Sequence, residues 1–150
     1  MAITGKKLKR LLCFYPPYIG AGIKVESISP DWKKTIVSMK VRWYNRNAVG
    51  THFGGSLYSM VDPHFMLMLM NILGRNYVIW DKTASIDFAK ASKEKVTATF
   101  IITEKIIDKI KQETSNGEKY LPDFSIDIVD PAGDIVAKVN KKLYIRRKKA

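Results

Sequence analysis

The chain is poor in the residues that build metal centres and disulfides. It has one cysteine, Cys13, and two histidines, His52 and His64, in 150 residues. One cysteine excludes an intramolecular disulfide, and with two histidines at no paired ligand spacing a metal site is not expected. Cys13 has no histidine or acid beside it and reads as a small buried apolar residue. Neither a Gly-x-Gly-x-x-Gly nor a P-loop pattern occurs, so nucleotide chemistry has no support. Ser56 and Ser59 lie in no Gly-x-Ser-x-Gly elbow, which argues against a serine hydrolase. The longest apolar stretch, residues 57–73, is interrupted by Asp62, Pro63, His64 and Asn71, so it reads as a core helix rather than a membrane span. The start of the chain carries Lys6, Lys7, Lys9 and Arg10 before a short apolar run ending at Pro16-Pro17. That run is too short for a secretory signal, and the expected location is cytoplasmic.

Acidic residues are also scarce. Asp and Glu total 14 against 26 Lys and Arg, giving a net charge of +12. Such an excess fits a polyanionic partner, be it nucleic acid, an acidic membrane surface or a phosphate-bearing coenzyme, and equally a solvated basic surface. Much of it gathers near the C-terminus, in Lys138, Lys141, Lys142, Arg146, Arg147, Lys148 and Lys149. The aromatic residues fall in core patterns rather than between the basic ones, so the stacking platform of a nucleic-acid binder is missing. With 46% hydrophobic residues the chain is globular, and its length suits one domain spanning residues 1–150.

Periodicity supplies the elements. A short helix is expected over residues 5–14, stopped by Pro16, then a strand over 23–28. Thr35, Val37, Met39, Val41 and Trp43 alternate with Ser38, Lys40 and Arg42, which predicts a half-buried strand. A helix over 55–73, apolar nearly all round, ends at Gly74, and Pro63 predicts a kink or widened turn beside Asp62. Further strands follow on Ala84, Ile86 and Phe88, on Val96 to Ile102, on Phe124 to Ile128 and on Ile135 to Ile145. A helix over 104–113 separates the second and third of these, and Asp130 to Asp134 makes a tight turn. Strands, one wholly apolar helix, then a meander of strands describe an α+β fold with a curved sheet on a central helix.

The chemistry concentrates in Asn47-Ala48-Val49-Gly50-Thr51-His52-Phe53-Gly54-Gly55 and the helix it opens. Paired glycines admit close backbone approach, and the free N–H groups of a helix start, with its dipole, suit a developing oxyanion. Asp62 is the one carboxylate in that apolar helix and is expected to be buried. A donor site and a lone acid on one element form a minimal constellation for acyl transfer. Asn47 could position water or a carbonyl, or serve as a turn residue. His64 lies two residues from Asp62, faces away from it and reads as a satisfied core or interface residue, whereas His52 sits beside the glycines. Met60, Met66, Met68 and Met70 read as core, and as an adaptable wall for an acyl chain.

On Asn47, Gly50, Gly54, Gly55 and Asp62, at matching spacing, the chain resembles the hotdog-fold thioesterases. The resemblance is to the phenylacetate-pathway-type branch and a related uncharacterised domain family, and it covers most of the chain after about residue 23. It departs at the family's His position, where this chain has Phe53, with His52 one residue earlier. The resemblance implies a hotdog fold and hydrolysis of acyl-CoA or a similar thioester, with coenzyme A as part of the substrate and no other cofactor. It implies Asp62 as general base or nucleophile, Asn47 and Gly55 as carbonyl or water ligands, and His52, Phe53 and Gly54 against the substrate. It further implies a homodimer or homotetramer in which Asp62 of one subunit faces the Asn47 loop of another. Phe53 favours an alternative, a non-catalytic acyl-CoA or acyl-ligand binding protein.

Overall fold

The computed structural model describes residues 3–149. Thr4 caps the first helix, α1 (Gly5–Cys13), by accepting from the Lys7 backbone N–H. Pro16 and Pro17 then end α1 and start a second helix, α2 (Pro16–Ala21), because proline suits the first turn, where its missing donor costs nothing. Periodicity did not reveal α2, which is too short to show a face. Gly22, at φ 71°, turns the chain into β1 (Ile23–Ile28).

Strand β2 (Lys34–Met39) pairs with β1 and stops earlier than the alternation predicts. Trp43, expected on the inner face, lies beyond it and is 82% exposed. The reason is Asn45, which is buried and donates to the carbonyls of Ala21 and Lys40 while accepting from the Arg42 N–H. These bonds tie residues 40–45 to the end of α2 instead of to the sheet.

The expected single helix is two, α3 (Gly54–Ser59) and α4 (His64–Leu73). Pro63 lacks a backbone donor and sits at the N-cap of α4, so the kink becomes a break. Met60, Val61, Phe65, Met68 and Leu69 are fully or almost fully buried, and Phe65 packs against the rings of Phe100 and Phe124. The remaining elements are β3 (Tyr77–Phe88), β4 (Val96–Ile101), α5 (Glu104–Glu113), β5 (Lys119–Tyr120), β6 (Asp123–Val129) and β7 (Ile135–Arg147).

All sheet pairings are antiparallel, in the order β1-β2-β4-β6-β7-β3, with β5 on β7. Along β7, residues 137, 139, 141, 143 and 145 face the core, while Ile135, expected inward, is exposed at the turn. Strand β3 starts seven residues before the expected Ala84 and forms an edge of the sheet. Its second half is mostly exposed, so Ala84 and Phe88, expected inward, are open to solvent, while Ile86 between them is half-buried against the core. Cys13 is likewise exposed, on the outer side of α1, contrary to its expected burial. No helix among the described residues is long and apolar enough to cross a membrane.

Candidate functional site

The two halves of the expected site lie at opposite ends of α3. At its start, Phe53 is the N-cap, and the N–H groups of Gly54 and Gly55 find no acceptor among the described residues. The glycines let two exposed phenylalanine rings lie close over the backbone. A Cβ on Gly54 would stand 2.9 Å from the Phe88 ring, and one on Gly55 would stand 2.6 Å from the Phe53 ring. A cavity of about 340 Å³ opens beside this helix start, with Asn47, His52, Gly54, Leu57 and Phe88 among its walls.

Asn47 organises its own loop. Its amide donates to Thr51 Oγ1 at 2.8 Å and to the His52 carbonyl at 3.2 Å, while Oδ1 accepts from the backbone of Val49 and Thr51. His52 is buried and bonds the Glu94 carbonyl through Nε2 at 2.7 Å, which leaves Nδ1 buried without a partner among the described residues. Burial lowers its pKa against the raising effect of that carbonyl, so the ring is neutral, carries its proton on Nε2 and keeps an acceptor at Nδ1.

Beyond the other end of α3, Asp62 lies in the break, and its side chain is 49% exposed rather than buried. It borders a separate cavity of about 140 Å³ with Tyr15, Tyr18, Tyr58, Ser59 and Pro63. The Tyr58 hydroxyl donates to Asp62 Oδ1 at 2.9 Å, whereas Oδ2 accepts no hydrogen bond among the described residues. One oxygen is thus anchored and the other is free. Burial, then the bond to Asp62, raise the Tyr58 pKa, so its hydroxyl keeps its proton and remains a donor.

A buried lysine stands behind Asp62. Lys141, counted above with the basic C-terminal surface, has no side-chain exposure. Its Nζ lies 3.0 Å from Asp81 Oδ1 and 3.6 Å from Asp62 Oδ1, and it donates to the Asp62 backbone carbonyl. Burial raises the Asp81 pKa, and Lys141 opposes that shift. Lys141, Asp81 and Tyr58 were missed from sequence. For Lys141 the signal was present: it shares its parity with Val139 and Leu143, which places a charge on the inner face of a core strand. His64 is buried as expected, with Tyr18 Oη at 2.8 Å from Nε2, and burial followed by Lys141 lowers its pKa to about 3.

A family model described as a domain of unknown function, DUF4442, matches residues 4–145. The chain belongs to this family. No curated protein matches the DUF4442 chain. Solved structures do. A probable thioesterase of unknown function from Pseudomonas aeruginosa superposes with a TM-score of 0.83 at 16% identity, covering 98% of both chains. A thioesterase from Haemophilus influenzae gives 0.71 at 15% identity, covering 98% of this chain and 93% of its own. A hypothetical thioesterase from Streptococcus pneumoniae, solved with coenzyme A, gives 0.60 at 16% identity, covering 94% of this chain and 98% of its own. These neighbours belong to the hotdog-fold thioesterase superfamily, and the α+β architecture of this DUF4442 chain is a hotdog fold.

Proposed function

We propose that this chain hydrolyses acyl thioesters of the acyl-CoA type and works as a pair of copies. The observation carrying this reading is the split of the site: Gly54, at the helix start whose first amides are free, and the half-free carboxylate of Asp62 line two cavities with no wall residue in common. A second copy reunites them. Strand β3 supports that pairing, because a 12-residue edge strand with unpaired backbone groups is a template for another strand. Pairing β3 to β3 makes one continuous sheet and brings Asp62 of one protomer to the Asn47 loop of its partner.

In that cleft the Gly55 N–H polarises the thioester carbonyl, and the helix dipole favours the oxyanion that forms. Asp62 Oδ2 takes a proton from water as the water oxygen bonds to the carbonyl carbon. Collapse of the tetrahedral intermediate breaks the carbon–sulfur bond, and the proton held by Asp62 returns to the leaving thiolate. Net positive charge draws the phosphates of coenzyme A to the protein.

The test is release of free thiol from a panel of acyl-CoA thioesters by wild type and Asp62→Asn. Asn keeps the size and loses the base, so turnover should fall by about a hundredfold or more with folding unchanged. Equal rates in the two proteins would remove Asp62 from the mechanism. A second reading, acyl-CoA binding without turnover, is favoured by Phe53, whose ring lies over Gly55, and by an Asn47 amide committed to its own loop. Saturable binding of every acyl-CoA with no thiol release would establish it.

A further inference from the structure

Lys141 is a charge in a place that charges avoid. A buried ammonium persists only where partners compensate its lost hydration. Its partners here are the Asp81 carboxylate, the Asp62 carboxylate and the Asp62 main-chain carbonyl. That carbonyl is free because the helix breaks at Pro63, so the ammonium caps the chain where continuous helix would have bonded it. The aliphatic stem crosses the core from β7, and Nζ lies 5.9 Å from the centre of the Tyr58 ring. Lys141 therefore grips Asp62 twice, by backbone and by side chain.

We infer that Lys141 is a positioning residue for Asp62: it fixes the backbone and Oδ1 of that aspartate, while Asp81 anchors the ammonium. The inference rests on the hydrolase reading above for its kinetic consequences. The other ionisable groups around Asp62 are Tyr58 on α3, Tyr15 and Tyr18 at the start of α2, and His64 on α4. Burial raises the pKa of Tyr18 and of Tyr58 and lowers that of His64, so these three are uncharged near neutral pH. Lys141 is thus the cation held against Asp62 among the described residues.

Lys141→Met keeps the stem and removes the cation, so kcat should fall at least about tenfold, with KM within about twofold of wild type. Lys141→Arg, which keeps the charge, should recover most of the lost kcat. A merely structural lysine would lower the folded fraction and leave kcat per folded chain unchanged. A kcat per folded chain within about twofold of wild type in Lys141→Met, or a loss that Lys141→Arg does not reduce, overturns the inference.

A second readout needs no turnover. Hydrogen exchange of the Asp62 amide, which donates to the Tyr58 carbonyl, should quicken at least about tenfold in Lys141→Met, with the amides of β4 unchanged. If Lys141→Met does not fold, Asp81→Asn, which loosens the ammonium, decides alone, and an unchanged Asp62 exchange rate there rejects the role. Wild type that hydrolyses no thioester while this exchange quickens as stated would sink the hydrolase reading and leave the positioning role standing.

Discussion

Tyr58 and Asp62 are joined across one turn of chain, the hydroxyl donating to Oδ1 at 2.9 Å where α3 gives way to the break before Pro63. The donor on the last turn of one helix thereby orients an acid that belongs to no helix. Replacing Tyr58 by Phe keeps the ring against Lys141 and removes only the bond. The expected cost in stability is about 1 kcal/mol, because Asp62 is half-exposed and water replaces part of the interaction. Thioester turnover should fall about tenfold through kcat, since Oδ1 then keeps only Lys141 and the carboxylate turns more easily, moving Oδ2 from its working position. Urea unfolding and steady-state kinetics on the same preparation check both numbers.

Division of the site between copies predicts complementation. Asp62→Asn lacks the base, and Gly55→Pro lacks the amide while fitting a first helical turn once the exposed Phe53 ring swings aside. Each should be inactive alone. Unfolded together in equal amounts and refolded, half of the pairs are mixed, and each mixed pair holds one intact site, so activity should recover to about a quarter of wild type. Sedimentation of the wild type should give twice the 17.1 kDa chain mass or a multiple of it. No recovery in the mixture, or a monomer at assay concentration, would contradict the shared site.

Acid should destabilise the protein well before its carboxylates titrate. Burial, reinforced by Lys141, holds His64 at about 3 in the fold against 6.5 in the open chain. Below pH 6.5 the unfolded chain therefore takes up a proton that the folded chain refuses, and stability falls as pH drops. The slope for this one group approaches about 1.4 kcal/mol per pH unit between pH 6 and 5. His52 acts in the same direction. Urea midpoints at pH 7, 6 and 5 should decline steeply in wild type and less steeply in His64→Gln, whereas identical slopes would contradict the assignment.

Cys13 is open to solvent on α1. One thiol per chain should react with an aromatic disulfide reagent in native buffer, at a rate that urea hardly changes. A thiol released only on unfolding would show that α1 packs differently.

Most of the fold can be read in the chain before any coordinates are seen, because the core strands and α5 keep a clean period and the turns at Gly74 and Asp130 to Asp134 carry their own chemistry. The misreadings share a cause: local pattern is silent where tertiary bonds decide. Trp43 continued an alternation that Asn45 cuts short by binding the end of α2. Ala84 and Phe88 alternate as an inner face would, but their strand is an edge whose second half is only partly covered. Asn47, Gly54, Gly55 and Asp62 stand out through the resemblance and its spacing; the loop and helix start are where the sequence puts them, whereas Asp62, expected on the helix and buried, falls half-exposed in the break. Asp81 and Lys141 could not be paired, because 60 residues separate them and only the pairing of β3 with β7 brings them together. Counting Lys141 with its basic neighbours hid it, although its position in the β7 alternation gave it away.

Lys141 sits mid-strand between Ala84 of β3 and Phe124 of β6, laddered on both sides. The larger cavity, by contrast, takes much of its wall from the loop holding Asn47 and from residues 89–92 after β3. Sheet carries Lys141 and Asp81, and loops shape the larger cavity. Grafting new loops around that cavity can therefore alter which molecules are admitted while the Lys141–Asp81 pair, beyond the other end of α3, keeps its geometry.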